Sequence, residues 1–335
     1  MSRTLPRPDE PACKRLSRLT IAVLAAGLSC AGTAASAEDL KVVATIKPIH
    51  SLVAQVMGEG VQPHLLVTGA ASPHTYSLKP SDARALNSAR VVFRTSEEIE
   101  PFTRKIVSSL PKSVTVVTLA DAPGLTMLDK RGGNSFETHD HGHGHGKEDH
   151  HEGHHHEESS RDGHVWLDPD NAIAMVRAIE KALSEAVPER AGEFQANAEK
   201  AIEQIGGLAK RIEADLAPLK GKDFVVFHDA YQYFEKRFGV PAAGAITVSP
   251  EVQPSAKRLA EIRRKIKDLK VVCVFAEPQF KSKLVDTVIE GTGAKAGTLD
   301  PEGATVEPGP DAYEALLAKL ADNLKACLGG STTAG

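Results

Sequence analysis

Cysteine is scarce in this chain, four among 335 residues, and two of the four, Cys13 and Cys30, fall in an N-terminal stretch that reads as removed on export. No C-x-x-C spacing occurs, so a cysteine-clustered metal site finds no support. Cys273 and Cys327 remain. In an oxidising compartment two cysteines most simply form one disulfide, with a Cys-ligated metal as the competing reading. Beyond the N-terminal stretch the chain also lacks any apolar run long enough to span a bilayer. It has no G-x-x-x-x-G-K-[ST] loop, which excludes P-loop ATP hydrolysis. Nor is there an excess of positive charge. The whole chain carries 40 Lys+Arg against 44 Asp+Glu, and without residues 1–37, which hold five basic and two acidic residues, 35 face 42, a net charge of about −7. Nothing in that balance suggests nucleic acid or an anionic membrane surface as partner.

Residues 1–37 have the parts of a secretory signal. Lys14, Arg15 and Arg18 form the basic part, residues 19–28 a short apolar part of about ten residues, and Ala35-Ser36-Ala37 a small-residue cleavage site. Gly27-Leu28-Ser29 makes a poor lipobox before Cys30, so cleavage after Ala37 is expected, giving an exported, soluble protein. The remaining 298 residues are enough for two lobes with separate cores.

Strands alternate with helices through both halves. Residues 41–46, 64–67, 90–95 and 114–119 are short runs rich in Val, Ile, Leu and Thr, separated by helical patterns such as 49–57 and 81–87. Residues 223–227, 243–248, 271–275 and 296–299 repeat the rhythm. This predicts an α/β fold of two parallel-sheet lobes, an N-terminal lobe over 38–188 and a C-terminal lobe over 218–335. Between them, Phe194, Ala198, Ala201, Ile205, Leu208, Ile212 and Leu216 recur by threes and fours, and Pro218 stops the pattern. One amphipathic linking helix over 189–217 is predicted, about 43 Å long. A helical link is stiffer than a loop hinge, so small rocking of the lobes is expected instead of large closure. Cys327 lies in a terminal helical pattern and Cys273 in a strand, so a bond between them would staple the last helix to the second lobe.

Nine of the fourteen histidines crowd into one low-complexity tract: His139, His141, His143, His145, His150, His151, His154, His155 and His156, interleaved with Gly, Asp and Glu. So polar and glycine-rich a stretch, within residues 132–163, cannot bury enough apolar surface to fold alone. It reads as a disordered loop, and imidazole with carboxylate at this density suits weak binding of divalent transition metals; an inert linker is the bland alternative. The segment His151-Glu152-Gly153-His154-His155 matches H-E-x-x-H literally. That chemistry needs both histidines on one rigid helical face, and a Gly/His loop supplies no helix.

Four isolated ligand-type residues fall outside the tract. His74 lies past the strand at 64–67, His228 directly follows 223–227, Asp300 follows 296–299, and His164 sits in His164-Val165-Trp166-Leu167-Asp168-Pro169. In open α/β sheets ligands collect at the carboxyl ends of the strands, and three imidazoles with one carboxylate match the ligands zinc prefers. Each has a bland reading as a hydrogen-bonded core or surface residue, which is kept for His50 and His64. Glu277, also at a strand end, reads as a carboxylate supporting a ligand or the structure.

These motifs, Pro73-His74-Thr75-Tyr76-Ser77-Leu78-Lys79-Pro80-Ser81-Asp82, the acidic His-rich loop, the His164 segment, Phe227-His228-Asp229-Ala230-Tyr231, Phe275-Ala276-Glu277-Pro278-Gln279-Phe280 and Thr298-Leu299-Asp300-Pro301, together resemble the ZnuA-like substrate-binding proteins of zinc ABC uptake systems. The resemblance implies a monomeric periplasmic receptor that captures Zn2+ in the cleft between two lobes joined by a rigid helix. It would deliver the ion to an ABC permease and, through it, to an ATPase. It maps the metal ligands onto His74, His164 and His228, with Asp300 or a solvent molecule completing the sphere. A manganese or iron receptor of the same fold, in which a carboxylate typically replaces the third histidine, is the nearest alternative. A periplasmic zinc buffer or chaperone is another, and a secreted zinc hydrolase with Glu277 or Asp229 as base a more distant one.

Overall fold

The computed structural model describes residues 40–60, 62–131, 161–247, 249–250, 252–281 and 283–329. The expected signal segment with its cleavage site at Ala37, and all nine histidines of the His-rich tract, lie outside the described residues.

Two four-stranded sheets organise the chain, and every pairing within them is parallel. The first contains β1 (Val42–Ala44), β2 (His64–Leu65), β3 (Val91–Arg94) and β4 (Thr115–Thr118) in the order β2-β1-β3-β4. After the short antiparallel pair β5 (Leu128–Asp129) and β6 (Arg161–Asp162), the second contains β7 (Phe224–His228), β8 (Gly244–Thr247), β9 (Cys273–Ala276) and β10 (Lys295–Thr298) in the order β10-β9-β7-β8. Each of the eight sheet strands falls within a residue or two of its sequence expectation; the central strands β1, β3, β7 and β9 are the Val- and Phe-rich, buried ones, and β2, β4 and β10 are partly exposed edges.

Helices α1 (Lys47–Met57), α2 (Pro80–Ser88), α3 (Thr103–Ser109) and α4 (Pro169–Ala186) accompany the first sheet. Helix α5 (Ala191–Leu216) follows, and α6 (Gln232–Phe238), α7 (Ala256–Asp268), α8 (Lys283–Ile289) and α9 (Ala312–Leu328) belong to the second half. Helix α5 carries the linking pattern, and its buried residues are the seven named from the sequence. It is shorter than the periodicity suggests, because 3-10 turns at Pro188–Arg190 and Ala217–Leu219 take up its two ends; its 26 residues span about 39 Å.

The cores are not separate. Successive strand residues point to opposite faces, so Val43, Leu66 and Val92 pack in an outer cluster of the first sheet, and Val225, Val274 and Phe227 in an outer cluster of the second. The residues between them, Val42, Ala44, Val91 and Phe93 of one sheet and Phe224, Val226, Cys273 and Phe275 of the other, share a single continuous core with α1, α4, α5 and α9. The lone tryptophan, Trp166, is fully buried in it. Each sheet needs a helical layer on its inner face, and here one layer serves both, which explains why separate cores do not form. Cys273 at the start of β9 and Cys327 in α9 are joined by a disulfide, so the Cys-ligated metal reading is set aside.

Candidate metal centre

His228 is the last residue of β7 and points from the carboxyl end of the second sheet. Its neighbour β9 ends one residue before Glu277. There the buried Glu277 carboxylate takes the His228 Nδ1 hydrogen at 2.6 Å (Oε1) and 2.8 Å (Oε2), and the His228 amide at 3.3 Å. Burial pulls the His228 pKa down, but the charge and hydrogen bond of Glu277 outweigh it, so the imidazole ends above the ordinary histidine value.

His164 is presented by a different device. Strand β6 pairs with β5, which fixes Asp162, and Asp162 Oδ1 accepts from both the Nδ1 (2.8 Å) and the amide (3.1 Å) of His164. Gly163 between them lets the turn pack closely, since a Cβ there would lie 2.6 Å from Ile99 Cγ1 and 2.8 Å from Ser96 Oγ and would force those side chains to shift. Tyr233 of α6 donates to the Asp162 carbonyl at 2.7 Å, tying this turn to the second half of the chain.

His74 lies in the 3-10 turn Pro73–Thr75 beyond β2. That turn is braced by Tyr76, whose hydroxyl donates to Asp82 Oδ2 at 2.8 Å with Leu66 O the alternative acceptor at 3.1 Å, while Asp82 also takes the Lys79 amide at the start of α2. Burial, then the proximity of His164 and His228, holds the His74 pKa well below the ordinary value. A neutral imidazole at work pH is what metal ligation needs.

The three imidazoles converge. Their ring centroids lie 5.3–5.8 Å apart, and each offers a nitrogen within 4.8 Å of the others. With Nδ1 of His164 and His228 directed to acceptor carboxylates, their Nε2 lone pairs face the shared space, 3.4 Å apart. Two nitrogens on a tetrahedral zinc ion at about 2.0–2.1 Å stand about 3.3–3.4 Å from each other. The donor set thus fits zinc in number, type and spacing.

Asp300 is not among those three. It lies past β10, buried, its carboxylate engaged by Gln279 Nε2 at 2.9 Å and by the amides of Glu302 and Thr305 at 3.2 Å each. His50 is buried on α1 and His64 exposed on β2, both outside the cluster. Sequence reasoning singled out Glu277 but missed Asp162; the signal was its place two residues before His164, within reach of that imidazole through a glycine.

Two other charged groups are buried outside the trio. Lys47 at the start of α1 donates to the carbonyls of Gly303, Ala304 (3.3 Å) and Val306 (2.6 Å), pinning the loop that follows Asp300. Gly303 sits at φ +69°, a conformation that favours glycine. Glu100 is fully buried and accepts from Thr45 Oγ1 at 2.6 Å and the Thr95 amide at 3.2 Å. Burial pushes its pKa up to about 7, with those hydrogen bonds opposing the shift.

A family model described as the periplasmic component A of a zinc-uptake complex, ZnuA, matches residues 42–327. The high-affinity zinc uptake system protein ZnuA of Brucella abortus (strain 2308) is 48% identical over 314 residues, covering 89% of this chain and 94% of that protein. Among solved structures, a zinc-bound variant of AdcAII from Streptococcus pneumoniae matches with a TM-score of 0.69 at 26% identity, over 87% of this chain and 100% of the other. FpvC of Pseudomonas aeruginosa with Mn2+ matches with a TM-score of 0.71 at 20% identity, over 87% and 99% of the two chains, a likeness in fold.

Proposed function

Because the chain belongs to the family of periplasmic ZnuA components of zinc-uptake complexes, we propose that it is the receptor that captures Zn2+ in the periplasm and passes it to an ABC permease coupled to an ATPase. His74, His164 and His228 take the ion through nitrogen in the cleft between a lobe at 38–188 and a lobe at 218–335, joined by the segment 189–217. The observation that carries this reading is the trio of imidazoles, two of them backed by a buried carboxylate with Nε2 atoms at the spacing of tetrahedral zinc. An imidazole where a harder receptor would use a carboxylate supports zinc over manganese. The fourth position falls to Asp300 or to solvent.

The site is read as carrying the ion and not as catalysing. Asp229, nominated from the sequence as a base for a hydrolase, is paired with Arg131, and Glu277 is committed to His228. A protein that holds its metal with buried histidines on fixed supports suits capture and carriage, and release then requires the permease to disturb those ligands. The histidine tract serves as a weak collector that raises the local zinc concentration before the tight site fills, and the mature chain acts as a monomer.

The test is competitive zinc and manganese calorimetry on the mature chain lacking 132–160, with and without His228→Ala. The deletion ends at 160 so that Asp162 is kept. One tight zinc event, unaffected by excess manganese and weakened at least a hundredfold by the substitution, is expected. Tight manganese binding, or indifference to the loss of His228, would overturn the assignment.

A further inference from the structure

The turn after β9 carries two side chains with opposite tasks. Glu277 reaches β7 and holds His228 toward the centre. Gln279, two residues on in the turn closed by the Phe280 amide on the Glu277 carbonyl at 3.1 Å, reaches the other way and holds Asp300. Strand β9 lies between β7 and β10, so the backbones carrying His228 and Asp300 are separated by two strand spacings, about 10 Å. Among the described residues the Asp300 carboxylate has three donors: two are backbone amides of its own loop, and Gln279 Nε2 is the side-chain donor. The other end of that amide, Gln279 Oε1, is buried and accepts no hydrogen bond among the described residues, so the side chain's described polar contact is with Asp300.

Resting on the three-histidine reading above, we infer that Gln279 is a positioning residue for metal selectivity: it withholds Asp300 from the coordination sphere and keeps the site nitrogen-rich. The chemistry runs through ligand hardness and number. Three imidazoles and one further small ligand suit four-coordinate zinc, whereas a carboxylate that can bind through one or both oxygens makes the site harder and raises its coordination number, as manganese prefers. The side chain that orders the Asp300 carboxylate therefore decides which ion the same three histidines favour. Lys47 fixes the backbone of this loop, so the freedom released by losing Gln279 goes to the carboxylate and not to the whole segment.

The experiment compares the full mature chain with Gln279→Leu, Gln279→Glu, and Gln279→Leu combined with Asp300→Asn. Two readouts are taken: zinc and manganese affinities in competition titrations, and the visible spectrum of the cobalt-loaded protein, whose intensity falls as coordination rises from four to five or six. Both single variants are expected to lower the zinc-over-manganese ratio about tenfold, the effect of one charge-assisted hydrogen bond, and to weaken the cobalt bands. The added Asp300→Asn should restore ratio and spectrum. An unchanged ratio and spectrum in either folded single variant would overturn the role of Gln279, as would a shift that persists in the double variant. Failure of the underlying ligand assignment reads out separately, as zinc binding insensitive to His228→Ala.

Discussion

Glu277 meets the Nδ1 of His228 from the adjacent strand with both oxygens, at 2.6 and 2.8 Å, and Asp162 meets the Nδ1 of His164 at 2.8 Å from two residues away. One support is built across a sheet and the other within a turn, yet both fix the same tautomer and turn Nε2 toward the same point. Removing either support leaves the imidazole in place but free to rotate. Glu277→Gln and Asp162→Asn are each expected to weaken zinc about 10- to 100-fold at neutral pH, measured by competition with a chelator of known affinity. Wild-type affinity in both would mean that packing alone orients the rings.

The same contact sets the acid limit of binding. Zinc needs neutral imidazoles, so protons compete with the metal once the pH falls to the pKa of a ligand. His74 is held well below the ordinary value and stays neutral, whereas Glu277 raises His228 above it. Affinity should therefore start to fall on acidification at a pH above that of an ordinary histidine, through protonation of His228 and ahead of His74. Glu277→Gln removes the raising charge and should move that onset to lower pH even though its affinity at neutral pH is weaker. A titration of zinc affinity between pH 5 and 8 checks both statements, and a Gln variant whose onset is unmoved would contradict them.

Much of this was legible in the chain. Val-rich runs and their turns placed all eight sheet strands, and the three-and-four spacing from Phe194 to Leu216 named the buried stripe of α5. His74, His164 and His228 stood out because each is an isolated ligand type near the carboxyl end of a strand or a turn. What escaped depends on contacts between distant segments. The 18 residues of α4 were not anticipated, although Asp168-Pro169 has the form of a helix start and the Asp168 side chain does accept from the Asp170 amide at 3.0 Å. The shared core was hidden because alternation along a strand tells which residues face one way, not which sheet they will meet. That Gln279 and two amides of its own loop hold the Asp300 carboxylate is a set of contacts no spacing rule reveals.

Glu100 links stability to pH in the direction opposite to a paired carboxylate. It is buried, and its pKa is raised from 4.5 to about 7 in the fold, so between those values the unfolded chain has lost a proton that the folded chain keeps. Stability from this group is fully present below about pH 4.5 and is lost as the pH rises toward 7, a change on the order of 3 kcal/mol. Glu100→Gln cannot ionise and should flatten that part of the stability profile, making the variant the relatively more stable protein at pH 8. Urea unfolding of metal-free protein at pH 5 and pH 8 measures this, and parallel pH profiles for the two proteins would show that Glu100 titrates normally.

The disulfide between Cys273 and Cys327 separates stability from function. It closes a loop with a sequence separation of 54, for which the chain-entropy model gives about 4 kcal/mol. Its position is at the opposite end of β9 from the metal centre: Cys273 opens the strand and Glu277 follows its last residue, four residues or about 13 Å further on. Between them Val274 and Phe275 are buried in two different clusters, one on each face of the sheet, so the strand is held by packing when the covalent link is gone. The double variant Cys273→Ala with Cys327→Ala should unfold at markedly lower urea concentration while binding zinc within about threefold of the parent at a temperature where both are folded. A large loss of zinc affinity in the folded double variant would show instead that the staple on α9 holds Glu277, and through it His228, in place.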